Sequence, residues 1–308
     1  MPLVRVLVSG MGGLIGSALA GSLLSDGHEV VRLRRGAAPG AGAGTGVVAW
    51  DPGAGTIDGA ALEGFDAVVH LAGAGIGDRR WSDERKREIL ESRTRGTSLL
   101  SGALAGVDRR PAVLVSASAI GIYGDRGDER LTEESPPGDD FMARVCREWE
   151  AATEPAAAAG IRVVTLRSGL VLAGHGGALA RMVPPFRLGL GGRTGSGRQW
   201  TSWISLPDEV GVIRHAITEA AVVGPLNAVS PSPVTNRELT STLARVLRRP
   251  SWLPTPLPAL YARYGRELVE GLLLVSQRVE PEKLISTGYR LRHPDLEPAL
   301  RAVLDRPA

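Results

Sequence analysis

The chain has 308 residues, 36 basic against 33 acidic, with 43% hydrophobic and 22% charged residues. That length suits one large or two small domains with an ample core, and the composition is that of a globular chain, not a disordered one. The single cysteine, Cys146, excludes a disulfide framework and a multi-cysteine zinc site, and a mixed-sign charge of +3 does not mark a nucleic-acid binder.

Taken in order, Leu3–Val8 is a short apolar, β-branched run that ends in Ser9-Gly10. Gly13–Ser25 then spaces its apolar residues as a helix does, and Glu29–Leu33 follows as a second strand. Further strand-like runs are Val47–Trp50, Ala67–Leu71, Ala112–Ser116 and Ile161–Leu166, with helical patterns at Asp83–Leu104 and Asp139–Ala159. This alternation predicts an α/β fold, a Rossmann-type doubly wound parallel sheet. Arg35–Gly46 reads as a flexible Gly/Ala/Pro loop. After Ser168 the pattern loosens, with five glycines within Gly189–Gly197 and helical patterns at Asn236–Leu247, Leu257–Val275 and Pro294–Leu304. Residues 1–168 are therefore expected to form the nucleotide-binding domain and 169–308 a smaller mixed α/β substrate or lid domain. No basic-then-apolar leader begins the chain, and no run approaches the ~18 apolar residues of a membrane span. A cytoplasmic protein that binds neither membrane nor nucleic acid is expected.

The first strand–helix turn carries Gly10, Gly13 and Gly16, spaced G-x-x-G-x-x-G. Residues without a Cβ let the chain turn tightly, approach a pyrophosphate and pack helix on strand, while the helix N-terminus favours an anion. NAD enzymes place an acid at the end of the second strand to hold the ribose 2′-OH. This chain has Arg32-Leu33-Arg34-Arg35 there, so Arg34 and Arg35 either grip a 2′-phosphate or form a solvated basic turn. NADP(H) is the expected cofactor.

With the block Asp66-Ala-Val-Val-His70-Leu-Ala-Gly, the glycine triplet resembles the extended short-chain dehydrogenase/reductase superfamily. Three further features narrow the match. They are Val115–Gly127, Leu166–Leu172 and the glycine-rich Pro185–Trp200 region, and a tail from Leu273 through Thr287-Gly-Tyr resembles the group's C-terminal segment. The chain is similar to the epimerase-like group described as NAD-dependent or nucleoside-diphosphate-sugar epimerases, whose distinctive C-terminal segment would span 250–297. Part of 200–230 would return to the sheet. The resemblance implies a cradle of Gly10, Gly13, Leu14, Ile15 and Gly16, with Leu71, Ala72 and Gly73 beneath the ribose. It further places Glu88, Arg93 and Leu170 at the cofactor, Arg93 standing where the superfamily has Asn. That arginine binds a phosphate or substrate anion, or makes a structural salt bridge.

The superfamily's Tyr-x-x-x-Lys dyad is absent. Only Lys86 and Lys283 are lysines, and Ser82 and Val279 stand four residues before them. The resemblance puts Phe141 and Val145 at the dyad positions. Ser118 and Tyr123 remain as candidates to handle oxygen and proton, unless both belong to a loop hydrogen-bond network. Arg187, Arg193 and Arg198 flank the glycine-rich loop, where related epimerases hold the substrate's diphosphate; a solvated loop is the alternative. The five histidines lack metal-ligand spacing, so no metal is expected. The implied function is an NADP(H)-dependent oxidoreductase or epimerase acting on a small carbonyl or nucleotide-sugar-like substrate, as a monomer or homodimer. A non-catalytic NADPH-binding sensor is the rival reading.

Overall fold

The computed structural model describes residues 3–36 and 46–305. The chain begins with β1 (Arg5–Ser9), α1 (Leu14–Ser25), β2 (Glu29–Arg35), β3 (Val47–Asp51), β4 (Thr56–Ile57) and β5 (Ala67–His70). There follow α2 (Asp83–Ala105), β6 (Val113–Ala119), β7 (Arg130–Leu131), α3 (Phe141–Ala151), α4 (Glu154–Ala158), β8 (Arg162–Ser168) and β9 (Leu170–Leu172). The second half holds α5 (Gly177–Arg187), β10 (Trp200–Thr201), β11 (Trp203–Ser205), α6 (Leu206–Thr218), β12 (Gly224–Ala228), β13 (Val234–Thr235) and α7 (Asn236–Leu247). It ends with α8 (Leu257–Tyr264), α9 (Arg266–Leu268), β14 (Arg278–Val279), α10 (Glu282–Ser286) and α11 (Leu296–Val303).

The central sheet has eight strands in the order β12-β8-β6-β5-β1-β2-β3-β4, parallel except for the edge strand β4. Period-2 alternation sorts its side chains onto two apolar faces. Val6, Val8, Val69, Val115 and Leu166 meet Leu19 and Leu23 of α1 and Ile213 of α6 on one face. Leu7, Val31, Leu33, Val68 and Leu114 meet Leu100 and Leu104 of α2 on the other. A separate cluster joins β9, α5, α7 and α11 through Leu172, Leu179, Phe186, Leu243 and Leu300.

Strand order reverses between β1 and β5, which makes the crevice beyond their C-terminal ends a topological switch point where such sheets bind ligands. Two expected helices are interrupted. Asp139–Ala159 divides after Ala151 because Pro155, lacking an N–H, starts a new helix in its first turn. Leu257–Val275 breaks at Gly265, whose φ of +83° is open to glycine but strained for other residues.

Candidate functional site

The switch-point crevice is built by close backbone approach. Gly10 has φ +71°, and a Cβ there would lie 2.8 Å from the Leu71 carbonyl carbon. A Cβ at Gly16 would lie 2.3 Å from the Gly10 oxygen, so helix and turn can touch only without side chains at both positions. Gly13 N–H donates to the Gly10 carbonyl at 2.9 Å and closes the turn. No side chain caps α1, and its first turn holds no acid. Its free N–H groups and dipole therefore face the crevice as an anion cradle. Leu14, the first residue of α1, touches the positions of Gly176 and Gly177, which lie over the helix start.

The opposite lip is clipped in place by Ser9. Its Oγ accepts from Leu71 N at 3.0 Å and Ala72 N at 3.2 Å, and lies 2.7 Å from His70 Nδ1. His70 is fully buried, and burial lowers its pKa to about 4, so it is a neutral structural imidazole.

At the end of β2, Arg34 and Arg35 are exposed and have no side-chain partner among the described residues. At the end of β5, the Arg93 guanidinium lies 3.2 Å from the position a Gly73 Cβ would take, so glycine makes room for it. Arg93 is 5% exposed, lies 4.9 Å over the Trp149 ring and donates from Nη1 to the Ile89 carbonyl at 3.0 Å. Its buried Nε has no partner. Burial brings its pKa down to about 10, which leaves it cationic at neutral pH. No salt bridge accounts for Arg93 among the described residues. Glu88 instead pairs with Arg85 at 2.5 Å, which holds its carboxyl below the usual range. Leu170 is half-buried in β9, in register with Trp203.

The orphaned Arg93 nitrogen, the uncapped helix start and the glycines that a Cβ would clash with all fit a bound dinucleotide. The chain would hold it with Gly10, Gly13, Leu14, Ile15 and Gly16 at the phosphates.

Ser118 and Tyr123 are joined in one buried network. Ser118 Oγ donates to Glu150 Oε1 at 2.7 Å. Arg167 donates to both Glu150 oxygens at 2.9 Å and to Tyr123 Oη at 3.0 Å. Tyr123 Oη donates to Asn227 Oδ1 at 2.7 Å. Tyr123 is fully buried, and desolvation raises its pKa in spite of Arg167. Glu150 and Asn227 stand in none of the motifs read from the sequence, while Arg167 stands in one, Leu166–Leu172, at the end of a largely apolar strand.

Phe141 packs edge-on against Trp81 at 5.2 Å, and Val145 is fully buried. Cys146 is a core thiol whose pKa burial pushes up to about 12. The three loop arginines do not converge. Arg187 ends α5 in solvent, Arg193 donates to its own loop at Gly195, and Arg198 lines a shallow cavity of about 260 Å³ with Trp200, Arg237 and Asp128. A wider cavity of about 730 Å³ lies between α1, α6 and residues 289–292, away from the glycine turn. Among the described residues no His, Cys, Asp and Glu cluster could hold a metal, and no helix is long and apolar enough to cross a membrane.

Residues 6–229 match the NAD dependent epimerase/dehydratase family, and residues 255–303 match a domain of unknown function, DUF1731. An epimerase family protein of Mycobacterium bovis is 43% identical over 302 residues, covering 98% of each chain. The crystal structure of human epimerase family protein SDR39U1 with NADPH superimposes with a TM-score of 0.88 at 37% identity, over 98% of this chain and 99% of that one. A nucleoside-diphosphate sugar epimerase from Corynebacterium glutamicum gives 0.79 at 37% identity, over 98% of this chain and 58% of that one. The protein is a member of the NAD-dependent epimerase/dehydratase family, with an NAD(P)-binding Rossmann-like fold and a C-terminal DUF1731 segment.

Proposed function

We propose that the protein is an NADP(H)-binding oxidoreductase of the epimerase type, acting on a small carbonyl or nucleotide-sugar-like substrate. The observation that carries this reading is the uncapped α1 N-terminus at the switch point, flanked at the β2 end by arginines and no acid. The NADPH in the human relative's structure supports it. Arg34 would meet the 2′-phosphate and Arg35, on the other face of β2, would add only its charge, while Leu71, Ala72 and Gly73 form the floor beneath the ribose. Arg93 faces the same crevice and would spend its free donors on cofactor oxygens. When bound, the cofactor supplies a hydride donor or acceptor.

The proton side rests on Ser118. Its own proton lies on the bond to Glu150, so toward a substrate hydroxyl its oxygen acts as acceptor, with Glu150 behind it. Tyr123 orders this network from below and does not reach a substrate. The arginines Arg187, Arg193 and Arg198 remain candidates for an anionic substrate group, with Arg198 beside Trp200 the best placed of the three.

A second reading, a non-catalytic NADPH-binding sensor, is favoured by the apolar Phe141 and Val145 and by the buried Tyr123. The two separate on one assay. NADPH oxidation and NADP reduction are followed against a panel of carbonyls and nucleotide sugars. Turnover lost in Ser118→Ala supports the enzyme; tight NADPH binding without turnover on any compound supports the sensor.

A further inference from the structure

We infer that Arg32, two residues below the exposed strand-end pair, is a specificity residue for an adenosine 2′-phosphate. The inference rests on the cofactor reading above and deepens it.

Strand alternation separates the basic residues of β2. Val30 packs in the α1-side core, whereas Val31 and Leu33 pack in the α2-side core. Arg32 and Arg34 therefore share the α1 face, the face of the anion cradle, and Arg35 lies on the other. Arg32 pairs in register with Val8, one residue before Ser9 and the glycine turn. Its side chain rises from there to the turn itself, where Nη2 comes within 3.6 Å of the position a Gly12 Cβ would take.

Two properties make this guanidinium a receptor in waiting. It has no side-chain hydrogen bond or ion pair among the described residues, although it is only half-exposed. Glu29, the one acid on β2, pairs with Arg5. A planar fork beside Gly12, with Arg34 on the same face, matches a phosphate monoester on the ribose nearest the β2 end. A 2′-hydroxyl offers such a cluster neither charge nor enough acceptors.

The test is direct binding by the full-length protein. Dissociation constants of NADPH and NADH are measured by nicotinamide fluorescence, and those of adenosine 2′,5′-bisphosphate and ADP by calorimetry, for wild type, Arg32→Met and Arg32→Lys. Losing one charge-assisted contact should weaken NADPH and the 2′,5′-bisphosphate by about tenfold or more while NADH and ADP change little. Arg32→Lys, which keeps the charge but not the fork, should fall between. Thermal unfolding of the ligand-free variants verifies that each is folded, and Arg32→Lys carries the test if the methionine variant is not. An equal loss for all four ligands would make Arg32 a support of the glycine turn and overturn the inference. So would unchanged binding. A wild-type protein that binds neither dinucleotide, or prefers NADH, would instead contradict the cofactor reading itself.

Discussion

Ser118 Oγ donates a 2.7 Å hydrogen bond to Glu150 Oε1, so the residue matching the superfamily's serine is tied to a carboxylate on α3 and not to a tyrosine. Glu150 is in turn held by both arms of Arg167, and both side chains are mostly buried. Removing the carboxylate strands the guanidinium. Glu150→Ala should destabilise the fold by about 3–5 kcal/mol, the range for breaking a buried pair from one side. Chemical denaturation measures it; a change below ~1 kcal/mol would show that Arg167 is satisfied without Glu150.

Tyr123→Phe gives a milder expectation on the same network. It removes the donor to Asn227 and an acceptor of Arg167, and should cost about 1–3 kcal/mol with NADPH affinity unchanged. A variant of wild-type stability that fails to turn over substrate would restore Tyr123 to the chemistry.

The glycines differ sharply in what they tolerate. Gly16→Ala forces a Cβ to 2.3 Å from the Gly10 oxygen and should abolish measurable NADPH binding. Gly21, exposed on α1 with nothing within 4 Å of its Cβ position, should accept alanine with a gain of roughly 0.5–1 kcal/mol. Parallel thermal melts and NADPH titrations of the two variants test the contrast.

Much of this architecture is legible in the amino-acid sequence because it follows from period and spacing. The alternation of strand and helix runs specifies the parallel sheet, and Gly10, Gly13 and Gly16 sit where the turn needs them. What escapes is long-range pairing. Glu150 and Arg167 are 17 residues apart and Tyr123 and Asn227 are 104 apart, so no local motif announces their contacts. The β4 edge strand is two residues long, too short for alternation to show. Arg32 is hidden for another reason. It stands in the basic run at the end of β2 with nothing to mark it from Arg34 and Arg35, and only its place on the α1 face brings its side chain to Gly12.

Glu209 predicts a pH dependence of stability. Its side chain is fully buried, accepts from Ser168 Oγ at 2.5 Å and leaves Oε2 without a partner. Burial raises its pKa from 4.5 to about 7. The folded state therefore holds the proton more tightly than the unfolded state. The stability Glu209 contributes is full below pH 4.5 and is lost as pH rises through about 7. Glu209→Gln removes this titration, so its stability relative to wild type should improve by about 3 kcal/mol between pH 4 and pH 8. Urea denaturation at both pH values measures the change; parallel behaviour of the two proteins would show that Glu209 ionises as freely when folded.

The central claim is a site built for a phosphorylated dinucleotide, with arginine in place of acid at the end of β2. Titrating the wild-type protein with NADPH and with NADH at one ionic strength tests it most directly. The account predicts a dissociation constant for NADPH at least about tenfold below that for NADH, a difference that narrows as salt screens the arginines. Equal or tighter binding of NADH would contradict it.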